Sequence, residues 1–137
     1  MRRSLVEYVW RRARGRCEYC RMPQEFDDLS FEIDHIIAEQ HGGKSIPSNL
    51  ALACFADNHH KGPNLGGIDP LTGKRAWLFD PRRQKWQEHF RWQGADLLGV
   101  TPTGRVTVAV LAVNLPYRVR HRAQLIKEGV FPPALME

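Results

Sequence analysis

The chain begins with a segment whose apolar positions follow the spacing of a helix. Between residues 5 and 14, apolar side chains recur every three or four positions, and Gly15, which can stop a helix, comes next. Ser4 and Glu7 form a capping-box pattern at its start. We therefore predict an amphipathic helix over residues 5–14.

Residues 31–37 show a different period. Apolar and acidic side chains alternate there and end in two isoleucines, which is typical of a strand. Asp34 and His35 are neighbours on this strand. Because successive strand side chains point to opposite faces, these two can serve one site only where the strand bends or ends.

The segment after the strand is rich in turn formers. Residues 41–49 contain two glycines and a proline, and we expect a loop that brings Asn49 back beside His35. An apolar run over residues 50–53 follows. A short helix is predicted near residues 58–62, where the next residue is a proline.

The second half of the chain has weaker patterns. Residues 63–85 are predicted to be loop-rich, and residues 89–100 to form a β-hairpin around a Gln-Gly turn. The β-branched run at 106–113 suits a buried strand, but its length and Thr103 as a cap favour a helix. A final helix is predicted over residues 116–127.

Composition indicates one small domain. The chain has 137 residues, of which 42% are hydrophobic, enough for a modest core. No apolar stretch reaches transmembrane length, and the N-terminal segment lacks the continuous apolar region of a signal peptide. We expect a cytoplasmic protein with no membrane partner, and its three cysteines suit a reducing compartment.

The charge is positive and unevenly distributed. The net charge is +5 with a pI near 9.4. Six arginines lie within residues 1–16, whereas residues 18–39 are rich in acids. Later cations alternate with aromatic residues, and two of them, Arg118 and Arg122, share a face of the last predicted helix. Such a surface attracts polyanions through phosphate contacts, although solvated basic faces are also common. The aromatic residues themselves favour core packing, with base stacking as the alternative.

Three residues around the predicted strand carry metal and proton chemistry. Asp34 offers a hard oxygen ligand of the kind Mg²⁺ accepts. His35 offers an imidazole, a side chain that commonly acts as a general base, so it can take a proton from an attacking water. Asn49 can fix the loop and the orientation of a nearby imidazole through its side-chain amide.

The intervals between these residues resemble those of the HNH endonuclease family, the ββα-metal nucleases. Asn49 follows His35 by 14 residues, and Asn58 follows Asn49 by nine. The resemblance implies an α+β fold: a small ββα-metal core with an N-terminal helix, zinc-knuckle-like elements, an appended β-hairpin and C-terminal helices. It implies that His35, Asn49 and Asn58 are catalytic and that Asp34 and Asn58 bind the metal, with His59 as a competing ligand.

The same resemblance implies a structural zinc knuckle with one substitution. Cys17 and Cys20 match a first Cys-x-x-Cys pair, whereas the second pair has become Cys54 and Asp57. A Cys₃Asp site is chemically possible, but structural zinc sites usually use Cys and His, and one of the histidines at 59–60 could replace the missing thiolate. Alternatives are a redox pair for the first two cysteines and a purely apolar role for the third.

The resemblance extends over most of the chain and implies cofactors and partners. One catalytic divalent metal is expected, Mg²⁺ or Mn²⁺, with Zn²⁺ or Ni²⁺ as alternatives, together with a structural Zn²⁺. Double-stranded DNA is the expected partner. Lys61, Arg82 and Arg83 are candidate phosphate contacts, and Lys61 could instead cap its helix.

The leading hypothesis is a metal-dependent HNH-type endonuclease that hydrolyses DNA phosphodiester bonds and nicks one strand as a monomer. The second is a non-catalytic, zinc-ribbon-like DNA-binding module on the same framework, and the third a purely structural or interaction domain. In all three, residues 1–137 form one domain, with the HNH core at about 16–62 and an extension at about 63–137.

Overall fold

The computed structural model describes residues 1–134. Its centre is a pair of antiparallel strands between two helices. These elements are α1 (Arg3–Ala13), β1 (Glu32–His35), β2 (Leu50–Ala53) and α2 (Phe55–Lys61). Helix α1 packs on β2, and α2 packs on β1, so the strand pair is covered by helices from both ends of this segment.

Helix α1 is amphipathic, as predicted, and buries Val9 and Ala13. Its predicted capping box does not form. The helix begins at Arg3, no side chain caps its first turn, and the Glu7 carboxylate instead accepts a hydrogen bond of 3.1 Å from Arg3. An ion pair one turn apart takes the place of the predicted cap. The helix spans Arg3–Ala13, whereas residues 5–14 were predicted.

The strands β1 and β2 are in register from the Glu32–Ala53 pair to the His35–Leu50 pair. All four residues of β2 are buried, so this strand forms the floor of the core. Strand β1 ends at His35, which confirms that the Asp34-His35 pair lies at a strand end.

The remainder of the chain forms two further strand pairs and three helices. They are β3 (Gly66–Ile68), β4 (Arg75–Trp77), α3 (Trp86–His89), β5 (Phe90–Gln93), β6 (Asp96–Gly99), α4 (Pro102–Val110) and α5 (Pro116–Lys127). The β5–β6 hairpin and the helices α4 and α5 confirm the predictions for residues 89–127. Within the described residues, no helix is both long enough and apolar enough to cross a lipid bilayer.

Residues 63–85 are mostly loop, as predicted, but they also contain the short β3–β4 pair, which was not predicted. Its first strand has two glycines, which are poor strand formers, so local propensity gave no signal. Tertiary packing compensates. Gly67 lies against α4, where an added Cβ would come within 3.0 Å of Val110 and 3.2 Å of Val106.

Helix α4 and helix α5 differ from their predictions in detail. The cap of α4 is Thr101, whose hydroxyl accepts a hydrogen bond of 3.0 Å from the Gly104 amide, and not Thr103. On α5 the arginine face points inward: Arg118 and Arg122 are 7% and 1% exposed. These two arginines are therefore core residues and not part of a surface for polyanions.

Candidate functional site

Helix α2 faces the acidic side of β1 through two matched side-chain pairs. Glu32 and Asp34 are two residues apart and share one face of the strand. Asn58 and Lys61 lie almost one turn apart on the helix. Asn58 Nδ2 donates to Glu32 Oε1 at 2.9 Å, and Lys61 Nζ donates to Asp34 Oδ1 at 3.1 Å.

The Asp34 pair is deeply buried. Asp34 is 4% exposed and Lys61 2% exposed. The second Asp34 oxygen accepts a hydrogen bond of 2.6 Å from the Tyr19 hydroxyl, and Lys61 also donates to the His35 carbonyl at 3.2 Å. Burial raises the pKa of the Asp34 carboxyl, while the charge of Lys61 and the bond from Tyr19 act against that rise. Both carboxylate oxygens thus have protein partners.

His35 points to the other side of the strand. Its Nε2 shares a hydrogen bond of 2.8 Å with the Ser45 hydroxyl and lies 3.9 Å from Glu39 Oε1. Its side chain is 18% exposed. The imidazole is therefore held by the loop between β1 and β2 and still reaches solvent.

Asn49 closes that loop. Its Oδ1 accepts from the Ile37 amide at 2.9 Å, and its Nδ2 donates to the carbonyls of Ile37 and Lys44, both at 3.0 Å. Since Lys44 directly precedes Ser45, Asn49 fixes the segment that holds His35. Asn49 contacts the loop backbone and reaches the imidazole only through it.

The remaining candidate ligands, Asn58 and His59, have different surroundings. Asn58 pairs with Glu32, a residue that the sequence analysis did not assign to the site. Its position two residues before Asp34 on an alternating strand was the available signal. His59 is exposed and stacks on Phe55 with ring centroids 3.8 Å apart.

A second cluster lies at the start of α2, where Cys54 is the N-cap residue. One ligand atom from each of Cys17, Cys20, Cys54 and Asp57 lies within 4.8 Å of all the others, and all four residues are buried. The three cysteines are free thiols. Cys17 Sγ donates to Asp57 Oδ2 at 3.2 Å, and the sulfurs of Cys20 and Cys54 are 3.8 Å apart.

Residues 17–64 match the family model described as HNH endonuclease. This segment is an HNH endonuclease domain. It contains the complete ββα unit and the thiol cluster, and it supports a nuclease-type function directed at nucleic acid. No curated protein matches the chain.

The thiols of this HNH domain differ in acidity. Hydrogen bonds from Cys17 and Cys54 lower the pKa of the Cys20 thiol, whereas burial raises the pKa of Cys17. Burial and the nearby Cys20 also raise the pKa of Asp57 to about 7. Any of these groups that carries a proton must lose it to bind a metal, as is general for metal sites.

The donor atoms of the HNH domain fit two kinds of metal. Three sulfurs and one carboxylate oxygen converging in a buried pocket suit a tetrahedral structural Zn²⁺. Between α2 and β1, the oxygens of Glu32, Asp34 and Asn58 are hard donors of the kind that Mg²⁺ and Mn²⁺ prefer. The four residues predicted to form the zinc knuckle therefore lie together in the structure.

The three candidate phosphate contacts have different surroundings in the structure. Lys61 is buried on Asp34. Arg82 is ion-paired with Glu18 and its side chain is 16% exposed. The side chain of Arg83 is 85% exposed. Arg83 is the most exposed of the three and lies 3.9 Å from Asp80, and the role of all three as phosphate contacts stays a prediction.

Proposed function

We propose that the chain is a metal-dependent HNH-type endonuclease that hydrolyses DNA phosphodiester bonds. The observation that carries this proposal is the arrangement around β1. Hard oxygen donors lie on one side of the strand facing α2, and a loop-held imidazole lies at its end. The positive net charge favours a polyanionic substrate.

The residues between β1 and α2 would bind the metal and balance its ligands. Asp34 and Asn58 would hold one divalent ion, and Glu32 would orient the Asn58 amide so that its Oδ1 faces the ion. A bound divalent ion would polarise the phosphate and stabilise the leaving oxygen. Lys61 balances the charge of Asp34 within the protein.

His35 would act as the general base. Its Nε2 is engaged by Ser45, so Nδ1 is the atom that would accept the proton of the attacking water. In this tautomer the Nε2 hydrogen is donated to the Ser45 hydroxyl, and the ring keeps its orientation. Asn49 would secure the loop behind it. One such site per chain cuts one strand, so we expect nicking by the monomer, and the free thiols favour the cytoplasm.

The second candidate function is DNA binding without cleavage. One observation favours it: both oxygens of Asp34 are already bonded, to Tyr19 and Lys61. If these bonds persist when DNA is bound, the carboxylate has no oxygen free for a metal.

Conversion of supercoiled to nicked plasmid tests the two functions. Wild type is incubated with Mg²⁺ or Mn²⁺ beside His35→Ala and, as a matched control, His41→Ala, which removes an exposed histidine from the same loop. We expect His35→Ala to lose about 10²–10⁴-fold in rate and His41→Ala to keep it. Equal nicking by wild type and His35→Ala would remove His35 as the base. Salt-sensitive DNA binding without nicking would establish the second function.

A further inference from the structure

The carboxylate that replaces the fourth thiolate divides its two oxygens between two environments. Asp57 Oδ2 faces the thiol cluster and accepts from Cys17 at 3.2 Å. Asp57 Oδ1 faces away and accepts from Arg118 Nη2 at 2.8 Å. Asp57 is 0% exposed, so Arg118 is not competing with water for this oxygen.

Arg118 is itself held rigidly. Its Nη1 donates to the carbonyls of Leu111 and Ala112, at 3.1 and 3.3 Å, where the chain leaves α4. Its Nη2 also lies 3.8 Å from the Cys54 sulfur. A planar guanidinium with its donors fixed in this way presents one oriented bond to Asp57 and one to a ligand sulfur.

We infer that Arg118 is the outer partner of a Cys₃Asp metal centre, holding Asp57 as a one-oxygen ligand and offsetting the charge of the site. Three thiolates and one carboxylate around a divalent ion leave two excess negative charges, of which the guanidinium neutralises one. Outer partners of this kind orient the ligands and tune affinity. The C-terminal helix α5 is thereby part of the metal centre, whether or not the chain cuts DNA.

Zinc affinity of purified protein, measured by competition with a chromogenic chelator, tests this role. We expect Arg118→Gln to weaken zinc binding by about 10- to 100-fold. Arg122→Gln is the matched control, because Arg122 is a buried arginine one turn further along α5 that donates to Ala95 and Asn114 and not to the cluster. Its zinc affinity should stay within about threefold of wild type.

A second pair of variants separates the inference from a general loss of packing. In Asp57→Cys the carboxylate is gone but the site keeps its charge and the Cys54 sulfur, so adding Arg118→Gln should weaken zinc binding by a smaller factor than it does in wild type. Equal losses with and without Asp57 would overturn the inference, as would wild-type affinity in Arg118→Gln. Wild type that binds no zinc would also overturn it, since Arg118 would then be a plain ion-pair partner.

The β3–β4 pair has large apolar side chains on its exposed face. The register pairs Gly66 with Trp77 and Ile68 with Arg75, and these four residues form the outward face of the sheet, here called the hairpin face. Trp77 is 72% exposed and Ile68 57% exposed. Among the chain's tryptophans, Trp86 is instead 4% exposed and in the core.

The charges on this hairpin are of one sign. Lys74 and Arg75 are exposed, whereas the acid within residues 66–77 is Asp69, which is 0% exposed and held by Arg105 through two bonds of 2.9 Å. A nucleic acid strand is complementary to this surface, because its bases can stack on the exposed aromatic ring while its phosphates contact the neighbouring cations.

The hairpin face is also near the proposed active site. The five residue steps from Lys61 to Gly66 span at most about 18 Å, the rise of about five base pairs. We propose that the hairpin face binds an unpaired base of the DNA substrate by stacking on Trp77. This rests on the proposed function and narrows its substrate to DNA with an unpaired segment.

Binding of two labelled oligonucleotides tests the proposal: a fully paired duplex and the same duplex with a short single-stranded flap. Both are measured in the His35→Ala background. We expect a preference of about fivefold or more for the flap, lost in Trp77→Ala and kept in Tyr117→Ala, which removes an exposed aromatic from α5. An equal affinity of the wild-type surface for both oligonucleotides, or a preference that survives Trp77→Ala, would overturn the proposal. Plasmid nicking is measured separately with protein that retains His35. If that nicking persists when the flap preference is absent, the hairpin-face proposal has failed and the nuclease function has not.

Discussion

Two groups of residues meet one buried face of helix α2: the cysteine cluster at the start of the helix, here called the cluster side, and the residues that face β1, here called the strand side. On the cluster side, Cys54 and Asp57 are 2% and 0% exposed, and their partners all come from the protein. On the strand side, Asn58 is half-buried and His35 reaches solvent. Structural metal sites are closed and catalytic ones keep a position open. The cluster side is closed, whereas the strand side is closed at Asp34, which is 4% exposed, and open at Asn58 and His35.

The difference also appears in how charge is balanced. Among the described residues the cluster side has four potential anions and one paired cation, Arg118, so a divalent metal would leave one excess negative charge instead of three. The strand side already has a cation, because the ammonium of Lys61 bonds to Asp34. The cluster is therefore expected to need its metal for stability, and the strand side to need a metal only for catalysis.

Replacing Lys61 should give the largest loss of stability on the strand side. Lys61→Met leaves the Asp34 carboxylate buried without its cation, and we expect a loss of about 3–5 kcal/mol in the free energy of unfolding. Urea unfolding measures it. Adding Asp34→Asn removes the unpaired charge and should restore about half of the loss. If the double variant is as unstable as the single one, the ion pair is not what holds this side together.

Removing metal should affect the cluster side. At a zinc concentration about a thousandfold above Kd, binding adds about 4 kcal/mol of stability, a shift in Tm of roughly 10–20 °C. Calorimetry with zinc and with a chelator measures this shift. Cys20→Ser lacks one ligand and should melt alike under both conditions. A wild-type Tm that ignores zinc would contradict a structural metal site.

A smaller effect is expected from Glu32, which touches the site only through Asn58. Glu32→Ala should lower the nicking rate by about 10- to 100-fold, because the Asn58 amide loses its orienting partner. The loss should shrink at high Mn²⁺ concentration, since the defect lies in metal binding. Glu39→Ala, which removes an exposed acid near His35, is the control and should stay close to wild type.

The smallest effect lies outside both sides, at the anchor of the β3–β4 pair. Two hydrogen bonds from Arg105 hold the pKa of Asp69 well below its usual range. A lowered carboxyl pKa adds stability that is fully present above the unfolded value, about 4, and is lost as pH falls through the folded one. Asp69→Asn should therefore differ from wild type at pH 7, and the difference should shrink below pH 4 in urea unfolding. A constant difference would exclude this ion pair as its source.

The local parts of the site could be predicted from the chain itself. The strand end at His35, the loop closed by Asn49 and the nearness of the cysteine pair to Cys54 depend on short intervals that turns and strands control. The appended hairpin and the last helix were also predictable, because aromatic, glycine and proline positions mark their ends.

The remainder depends on contacts between distant residues. Arg118 is hydrogen-bonded to Asp57, 61 residues away in the sequence, and Arg82 to Glu18, 64 residues away. Hydrophobic periodicity does not predict such pairs. For this reason an arginine face predicted to be outward proved to be buried. Similarly, the glycine-rich β3 is a strand because α4 packs on it, and not because of its own residues.

The most direct test of the two metal sites is an anomalous-scattering map of crystals grown with Zn²⁺ and Mn²⁺, recorded at the absorption edge of each metal. We predict zinc about 2.3 Å from the sulfurs of Cys17, Cys20 and Cys54 and about 2.0–2.2 Å from one oxygen of Asp57. We predict manganese between α2 and β1, at Asp34 and Asn58. Manganese in the thiol cluster, or an Asp34 that keeps Lys61 and binds no metal while DNA is present, would contradict these assignments.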